Sequence, residues 1–155
     1  MKNADVNFVV VGGFAGICHG CTMVTQDVDI CCEFSEANLL RLQKAIGNLN
    51  PVHRMTPNKV KLDLVGGNIM NFKNLYLDTD IGQLDCLSYI DGAGDYNSVV
   101  KASMSITIGG IELNVLSIDA LIEAKKKLNR PRDKEAVIQL EALKKLKRNS
   151  EDIQE

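Results

Sequence analysis

The feature that most narrows what this chain can fold into is the run Val6 to Val11, apolar except at Asn7 and stopped by Gly12-Gly13. A short run rich in β-branched residues and bounded by turn residues reads as a buried, central strand. Phe14 to Gly20 then reads as a short helix, with Ala15 and Gly16 small enough for close packing. Thr25 to Cys32 alternates, placing Val24, Val28 and Ile30 on one side and Thr25, Asp27 and Asp29 on the other. This is a second strand with one charged face. A buried strand, a glycine turn, a helix and a half-charged strand in that order predict an α/β (α+β) fold with a mixed sheet flanked by helices.

Local signals continue along the chain. Ser35 is an N-cap for a helix whose apolar positions Leu39, Leu42 and Ile46 recur at helical spacing, with Gly47 near its end. Pro51 and Pro57 punctuate a loop, and the alternation of Val60, Leu62 and Leu64 predicts a strand over Lys59 to Val65, closed by Gly66-Gly67. Leu75 to Leu77 reads as a short strand. Gln83 to Ile90 reads as another, with Leu84, Cys86 and Tyr89 near the core and Asp85 directed away from Leu84. Asp91-Gly92 ends it, and a short helix is expected over Asp95 to Ala102. Gly109-Gly110 between two apolar runs is a strong hairpin signal. Ser117 caps a helix from Ile118 to Leu128, and Pro131 opens a last helix carrying Val137, Leu140, Leu143 and Leu146 before a polar tail.

Length and composition bound the rest. The 155 residues are expected to form a single domain over 1–155, with a core over 1–116 and a helical pair over 117–148. With 45% hydrophobic and 25% charged residues the chain lies far from disordered compositions. The first five residues carry no secretory pattern and no apolar run reaches bilayer length, so the expectation is a cytoplasmic protein that does not meet the membrane. The five cysteines, Cys18, Cys21, Cys31, Cys32 and Cys86, read as reduced thiols. Cys18, His19, Cys21, Cys31 and Cys32 invite a zinc reading, but adjacent strand residues 31 and 32 point to opposite faces and no second spaced C-x-x-C pair exists. The segment Glu123 to Arg148 holds ten Lys and Arg against four acids within a chain of net charge −2. That local field suits an anionic ligand or simply a solvated helix face.

The stretch Val10 to Ile30, V-V-G-G-F-A-G-I-C-H-G-C-T-M-V-T-Q-D-V-D-I, carries the chemistry. Two carboxylates separated by one residue on a strand project from the same face about 6 to 7 Å apart, near enough to share metal ions. Hard divalent cations such as Mg²⁺ take oxygen ligands, commonly one or two carboxylates with phosphate oxygens and water completing the shell. Gly12 and Gly13 precede a helix N-terminus, where free amides and the helix dipole favour an anion. Either signal alone has an ordinary structural explanation. Their order, strand, Gly-Gly, helix, T-x-D-x-D, is what points to phosphate chemistry.

Those residues resemble the nucleotidyltransferase superfamily typified by DNA polymerase beta, and within it the small bacterial proteins with G-G-x-A, H-G and T-x-D-x-D. The resemblance extends to Gln83-Leu84-Asp85-Cys86-Leu87, similar to the strand that supplies the family's third acid, and to Val115–Asp133, with a K-x4-R-P-x-D turn at Lys125, Arg130, Pro131 and Asp133. It implies a nucleotidyltransferase fold and transfer of a nucleoside monophosphate from a nucleoside triphosphate (NTP), ATP among them, to a hydroxyl acceptor. Asp27, Asp29 and Asp85 would be the catalytic, metal-holding acids for Mg²⁺ or Mn²⁺, with two-metal in-line chemistry. Gly12, Gly13 and Thr25 would serve the phosphates. Met23 stands where related members often carry an arginine, and Lys125 or Arg130 would replace that charge if the carboxyl-terminal helices fold over the triphosphate. The acceptor is left open between small molecule, RNA end and protein, and a homodimer or partner protein is expected to complete its recognition. The rival reading is a catalytically inactive nucleotide-binding or interaction module, for example a toxin–antitoxin component.

Other residues carry weaker signals. His19 reads as a packing or hydrogen-bonding residue, His53 as loop, and Arg54 as a candidate acceptor contact. Asp63, Asp78 and Asp80 are alternative third acids. Met55, Met70 and Met104 read as filler, and Tyr76, Tyr89 and Tyr96 form no stripe for stacking bases.

Overall fold

The computed structural model describes residues 1–154. Seven strands form one mixed sheet: β1 (Phe8–Val11), β2 (Asp27–Cys32), β3 (Val52–His53), β4 (Asn74–Thr79), β5 (Gly82–Leu87), and, beyond the two-stranded ribbon of β6 (Tyr89–Ile90) and β7 (Gly94–Asp95), β8 (Ser103–Ile108) and β9 (Ile111–Leu116). The order across the sheet is β3-β4-β5-β2-β1-β9-β8. Pairing is parallel for β2 with β5 and β1 with β9, and antiparallel for the other four neighbours. The run from Phe8 to Val11 is buried throughout, as a central strand between β2 and β9 must be. The helices are α1 (Gly12–Cys18), α2 (Glu36–Ile46), α3 (Tyr96–Lys101), α4 (Ile118–Leu128) and α5 (Pro131–Gln154). No helix among the described residues is long and apolar enough to cross a membrane.

Helix boundaries follow their caps. Ser35 Oγ accepts from Asn38 N at 3.3 Å, Ser117 Oγ from Ala120 N at 3.2 Å and Asp95 Oδ1 from Ser98 N at 2.9 Å, each satisfying an amide with no intrahelical partner. Asn129, at φ 53, closes α4 by donating its N–H to Lys125 O, and Pro131 starts α5 one residue after Arg130. Gly109 and Gly110 both take positive φ, as a two-residue hairpin turn requires.

Period two sets the two faces of the sheet. The register aligns Val28 with Leu84 and Ile30 with Cys86, and on the opposite face Asp29 with Asp85. Ile30, Cys86, Leu75 and Leu77 join Leu39, Leu42 and Ile46 of α2 in one buried cluster. The other face carries the acids near α1 and α4.

Three local expectations need correction. Lys59 to Val65 is extended but forms no strand, only an isolated bridge between Lys61 and Val52. Leu62 and Leu64 are buried, yet their amides bond Pro51 O and the Gln43 side chain, so the alternation reflects packing against a loop and α2. Tyr89 is exposed rather than near the core, because the chain leaves the sheet after Leu87 to form the β6–β7 ribbon. The polar tail is helical: α5 runs on to Gln154, and Leu146, assigned to its apolar face, is exposed.

Candidate active site

Three carboxylates from two neighbouring strands converge. One oxygen each of Asp27, Asp29 and Asp85 lies within 4.8 Å of the others, and all three residues are half-buried. Asp27 and Asp29 share a face because they are two apart on β2, and the parallel register with β5 sets Asp85 directly beside Asp29. Among the described residues this is the one His, Cys, Asp or Glu group compact enough to hold a metal ion. An all-oxygen, triply charged donor set fits Mg²⁺ or Mn²⁺ and not the thiolate and imidazole preferences of a structural zinc site.

The electrostatics agree with that fit. Burial, then the neighbouring Asp85 and Asp27, push the Asp29 carboxyl from 3.8 up to about 6, against a smaller opposing pull from Lys125 and Arg54. Three negative groups this close repel one another, and a divalent cation between them relieves the repulsion.

Gly12 stands at the centre for a reason the phosphate argument did not foresee. Val11 pairs with Asp29, so the next residue passes directly over that carboxylate. A Cβ on Gly12 would overlap Asp29 Oδ2, and the backbone is at φ +65, a region that favours glycine. Gly13 faces Thr25 instead, where a Cβ would come within 3.1 Å of Thr25 Oγ1. Thr25 itself donates to Asp27 O at 3.1 Å and fixes the entry to β2.

Asp27, Asp29 and Asp85 open into a polar pocket of about 240 Å³, which Gly13, Met23 and Thr25 also line. Its cations come from the carboxyl-terminal helices: Lys125 on α4, Arg130 in the turn and Arg132 on α5. Met23 therefore does not leave the pocket without positive charge. Burial pushes the Lys125 ammonium below its usual pKa while Asp133 holds it up, its Oδ1 lying 3.9 Å from Nζ.

Asp133 is the organiser that a reading of the K-x4-R-P-x-D turn by itself leaves without a role. Its Oδ2 accepts from Arg130 N at 3.2 Å and Nε at 2.6 Å, and its Oδ1 from Nη2 at 3.3 Å. The backbone bond is the return half of a capping box, with the acid at the third helical position reaching back to the cap residue. Arg132 Nη2 donates to Val24 O at 2.6 Å and Gln139 accepts from Thr22 N at 3.1 Å, so α5 pins the loop leading to β2. Removing the buried Asp133 charge leaves the half-buried Lys125 without its counter-charge. Asp133→Asn is expected to lower stability by about 2 kcal/mol. Asp119→Asn, which removes an exposed pairing with Lys144, should change it by less than about 0.5 kcal/mol, both read by denaturant unfolding.

The remaining candidates fall outside or at the edge of the acid cluster. Arg54 faces the site itself: Nη2 pairs with Asp85 Oδ1 at 2.5 Å, Nη1 donates to Leu77 O at 3.3 Å, and the guanidinium lies 5.8 Å from the Tyr76 ring centre. Nothing local marks this, since the partners are 31 residues apart and meet only because β3 pairs with β4 and β4 with β5. His19 is buried with Nε2 2.7 Å from Leu116 O, a packing role, and His53 stacks on Phe72 at 5.4 Å. Asp78 pairs with Lys59 at 2.9 Å, Asp80 accepts from Asn50 at 2.6 Å, and Asp63 is exposed. All five cysteines are free thiols, and burial raises the pKa of Cys18, Cys21 and Cys31, the last to about 12.

Comparison of this architecture with solved structures identifies its fold. The chain is similar to the lincosamide antibiotic adenylyltransferase LnuA in its lincomycin-bound form, with TM-score 0.59, 15% identity, and coverage of 92% of this chain and 90% of that one. It is similar to ANT(2″)-Ia in complex with adenylyl-2″-tobramycin, with TM-score 0.55, 14% identity, and coverage of 96% and 91%. TM1012 from Thermotoga maritima, described as a candidate nucleotidyltransferase, gives TM-score 0.56, 19% identity, and coverage of 90% and 84%. The chain thus has the nucleotidyltransferase fold over nearly its whole length. No protein-family model matches it, and no curated protein matches it by sequence.

Proposed function

We propose that this protein is a nucleotidyltransferase that moves a nucleoside monophosphate from an NTP to a hydroxyl acceptor and releases pyrophosphate. The observation that carries this reading is the convergence of Asp27, Asp29 and Asp85 on a pocket walled by Gly13, Lys125, Arg130 and Arg132. The fold shared with two adenylyltransferases supports it.

The three acids would hold the divalent cation, which when bound neutralises triphosphate charge and lowers the pKa of an acceptor hydroxyl. The chain's own residues do the rest. Lys125, Arg130 and Arg132 supply positive charge for the triphosphate, and Gly13 leaves backbone N–H accessible at the start of α1. Asp85 lines a cleft on the side of β4 and β5 and would take the acceptor proton. Arg54 engages one of its oxygens and fixes its orientation, leaving the other free.

That same pairing supports a second reading. An arginine held on the third acid would suit a module that binds NTP without transferring it, as in a toxin–antitoxin component. Incubation with α-labelled triphosphates, Mg²⁺ and a cell extract separates the two. Transfer predicts acceptor-linked label that disappears with chelator and in Asp27→Asn. Metal-dependent nucleotide binding with no pyrophosphate release across the extract would instead favour the module.

A further inference from the structure

A second cleft, of about 610 Å³, adjoins the acids on the side of β4 and β5. It shares Gly13, Asp29, Asp85, Lys125 and Arg130 with the cationic pocket, so the two cavities meet at the carboxylates. Their linings differ. The smaller one is mostly polar; the larger has buried Leu116 and Leu121 in its wall, Leu87 and Ile90 beside them, and Tyr76 and Tyr89 at its flank. Next to the lining residue Asp91 the chain runs tight against α4: Gly92, at φ +85, lies so near that a Cβ would come within 3.0 Å of Ala124 Cα and Glu123 O.

The charges decide what this cleft suits. Asp29 and Asp85 belong to the acid cluster, while Lys125 and Arg130 pair with Asp133. What remains is one exposed cation, Lys73, and one exposed anion, Asp91. A nucleic-acid end is gripped through several phosphates, each wanting its own Lys or Arg. A polycation equally wants several acids. Neither need is met by a single charge of each sign. A wall of mixed surface, apolar along Leu87, Ile90, Leu116 and Leu121 and polar elsewhere, suits at this volume one drug-sized amphiphilic molecule.

We propose that the acceptor is a small amphiphilic organic molecule with a free hydroxyl, neutral or zwitterionic, seated in this cleft. This rests on the nucleotidyl-transfer reading above. The acceptor oxygen bonds to the α-phosphorus, the bond from that phosphorus to the pyrophosphate oxygen breaks, and the hydroxyl proton passes to Asp85 and on to water. The products are a phosphodiester joining the acceptor oxygen to the nucleoside, and pyrophosphate.

The test offers the wild-type protein α-labelled ATP, Mg²⁺ and a panel of neutral and zwitterionic hydroxylated amphiphiles. A polycationic amino sugar, an oligoribonucleotide with a free 3′ hydroxyl and a hydroxyl-rich unfolded protein compete in the same mixture. Label is expected in the neutral or zwitterionic class. Tyr89→Ala and Leu128→Glu change exposed positions of the cleft, so the fold should survive them. Each is expected to raise the acceptor KM about tenfold while the Kd for Mg·ATP stays within about twofold. Preferential labelling of the oligonucleotide, the amino sugar or the protein overturns the proposal, as does an unchanged acceptor KM in both variants. If the protein binds no nucleotide at all, the transfer reading fails separately. Ligand-observed NMR of the same panel, with the same two variants, then still decides whether the cleft takes that class.

Discussion

Asp29→Asn should make the protein more stable in the absence of Mg²⁺ and, under the proposed function, abolish nucleotidyl transfer. The folded environment holds this carboxyl at about 6 against an ordinary 3.8, first through burial and then through Asp85 and Asp27. The sign follows from linkage: between those two values the folded state binds more protons than the unfolded one, so stability falls as pH rises through that window. At pH 7.5 the ionised carboxylate has lost up to about 3 kcal/mol relative to pH below 4. Asparagine removes the charge, and a gain of about 1 to 3 kcal/mol at pH 7.5 would raise the melting temperature by several degrees, with little effect at pH 4. Adding Mg²⁺ should stabilise the wild type and leave the variant unmoved, and nucleotidyl transfer should fall by about 10³-fold or more. Thermal unfolding at two pH values, with and without Mg²⁺, checks the first part, and an assay with labelled NTP checks the second. A variant no more stable than the wild type at pH 7.5 would mean that burial and the two neighbouring acids do not raise this carboxyl as their placement requires.

A single methyl group at Gly12 should do nearly as much damage to activity, by the opposite route. Gly12→Ala places a Cβ where Asp29 Oδ2 now lies, on backbone at φ +65 that costs an L-residue about 1 to 2 kcal/mol. Asp29 must move, and it is paired through the sheet to Asp85. The expected result is a stability loss of about 2 kcal/mol or more, weaker Mg²⁺ binding and at least about 100-fold lower transfer. Gly67→Ala, at a position with open space and ordinary backbone, is the control and should be silent. Gly13→Ala lies between the two, since its methyl meets only the Thr25 side chain. Circular dichroism melts and Mg²⁺ titration of the three variants would rank them.

What was legible in the chain was local. Ser35 and Ser117 announce their helices because a cap hydroxyl acts within three residues, and Gly109-Gly110 announces its hairpin because the turn conformation is set by those two residues alone. Asp27 and Asp29 share a face by strand periodicity, which needs no knowledge of the fold. Bringing Asp85 beside them depended on resemblance, because a contact across parallel strands leaves no mark in the intervening sequence. Arg54 and Asp133 were unreadable in their actual roles for the same reason: an isolated arginine in a loop and an acid in a helix's first turn are ordinary features until tertiary structure gives them partners. The alternation over Lys59 to Val65 misled because period-two burial also arises where an extended segment lies on a loop and a helix, with its amides satisfied outside any sheet. Gly12 was read as a phosphate-contact glycine, whereas the neighbour that demands glycine there is the protein's own carboxylate.

The pairing of β2 with β5 has a consequence for how such a centre can be lost. Whether residue 85 turns an oxygen toward the other two acids is a matter of phase between two ribbons, since Leu84 and Cys86 on either side of Asp85 face the interior. Sliding β5 by one position would set hydrocarbon beside Asp27 and Asp29 and bury an acid in the core, with all three acids still present in the chain. The oily flanks of Asp85 thus act as its alignment marks: they make the out-of-phase arrangement too costly to populate, and so the packing of the interior proofreads the geometry of the surface.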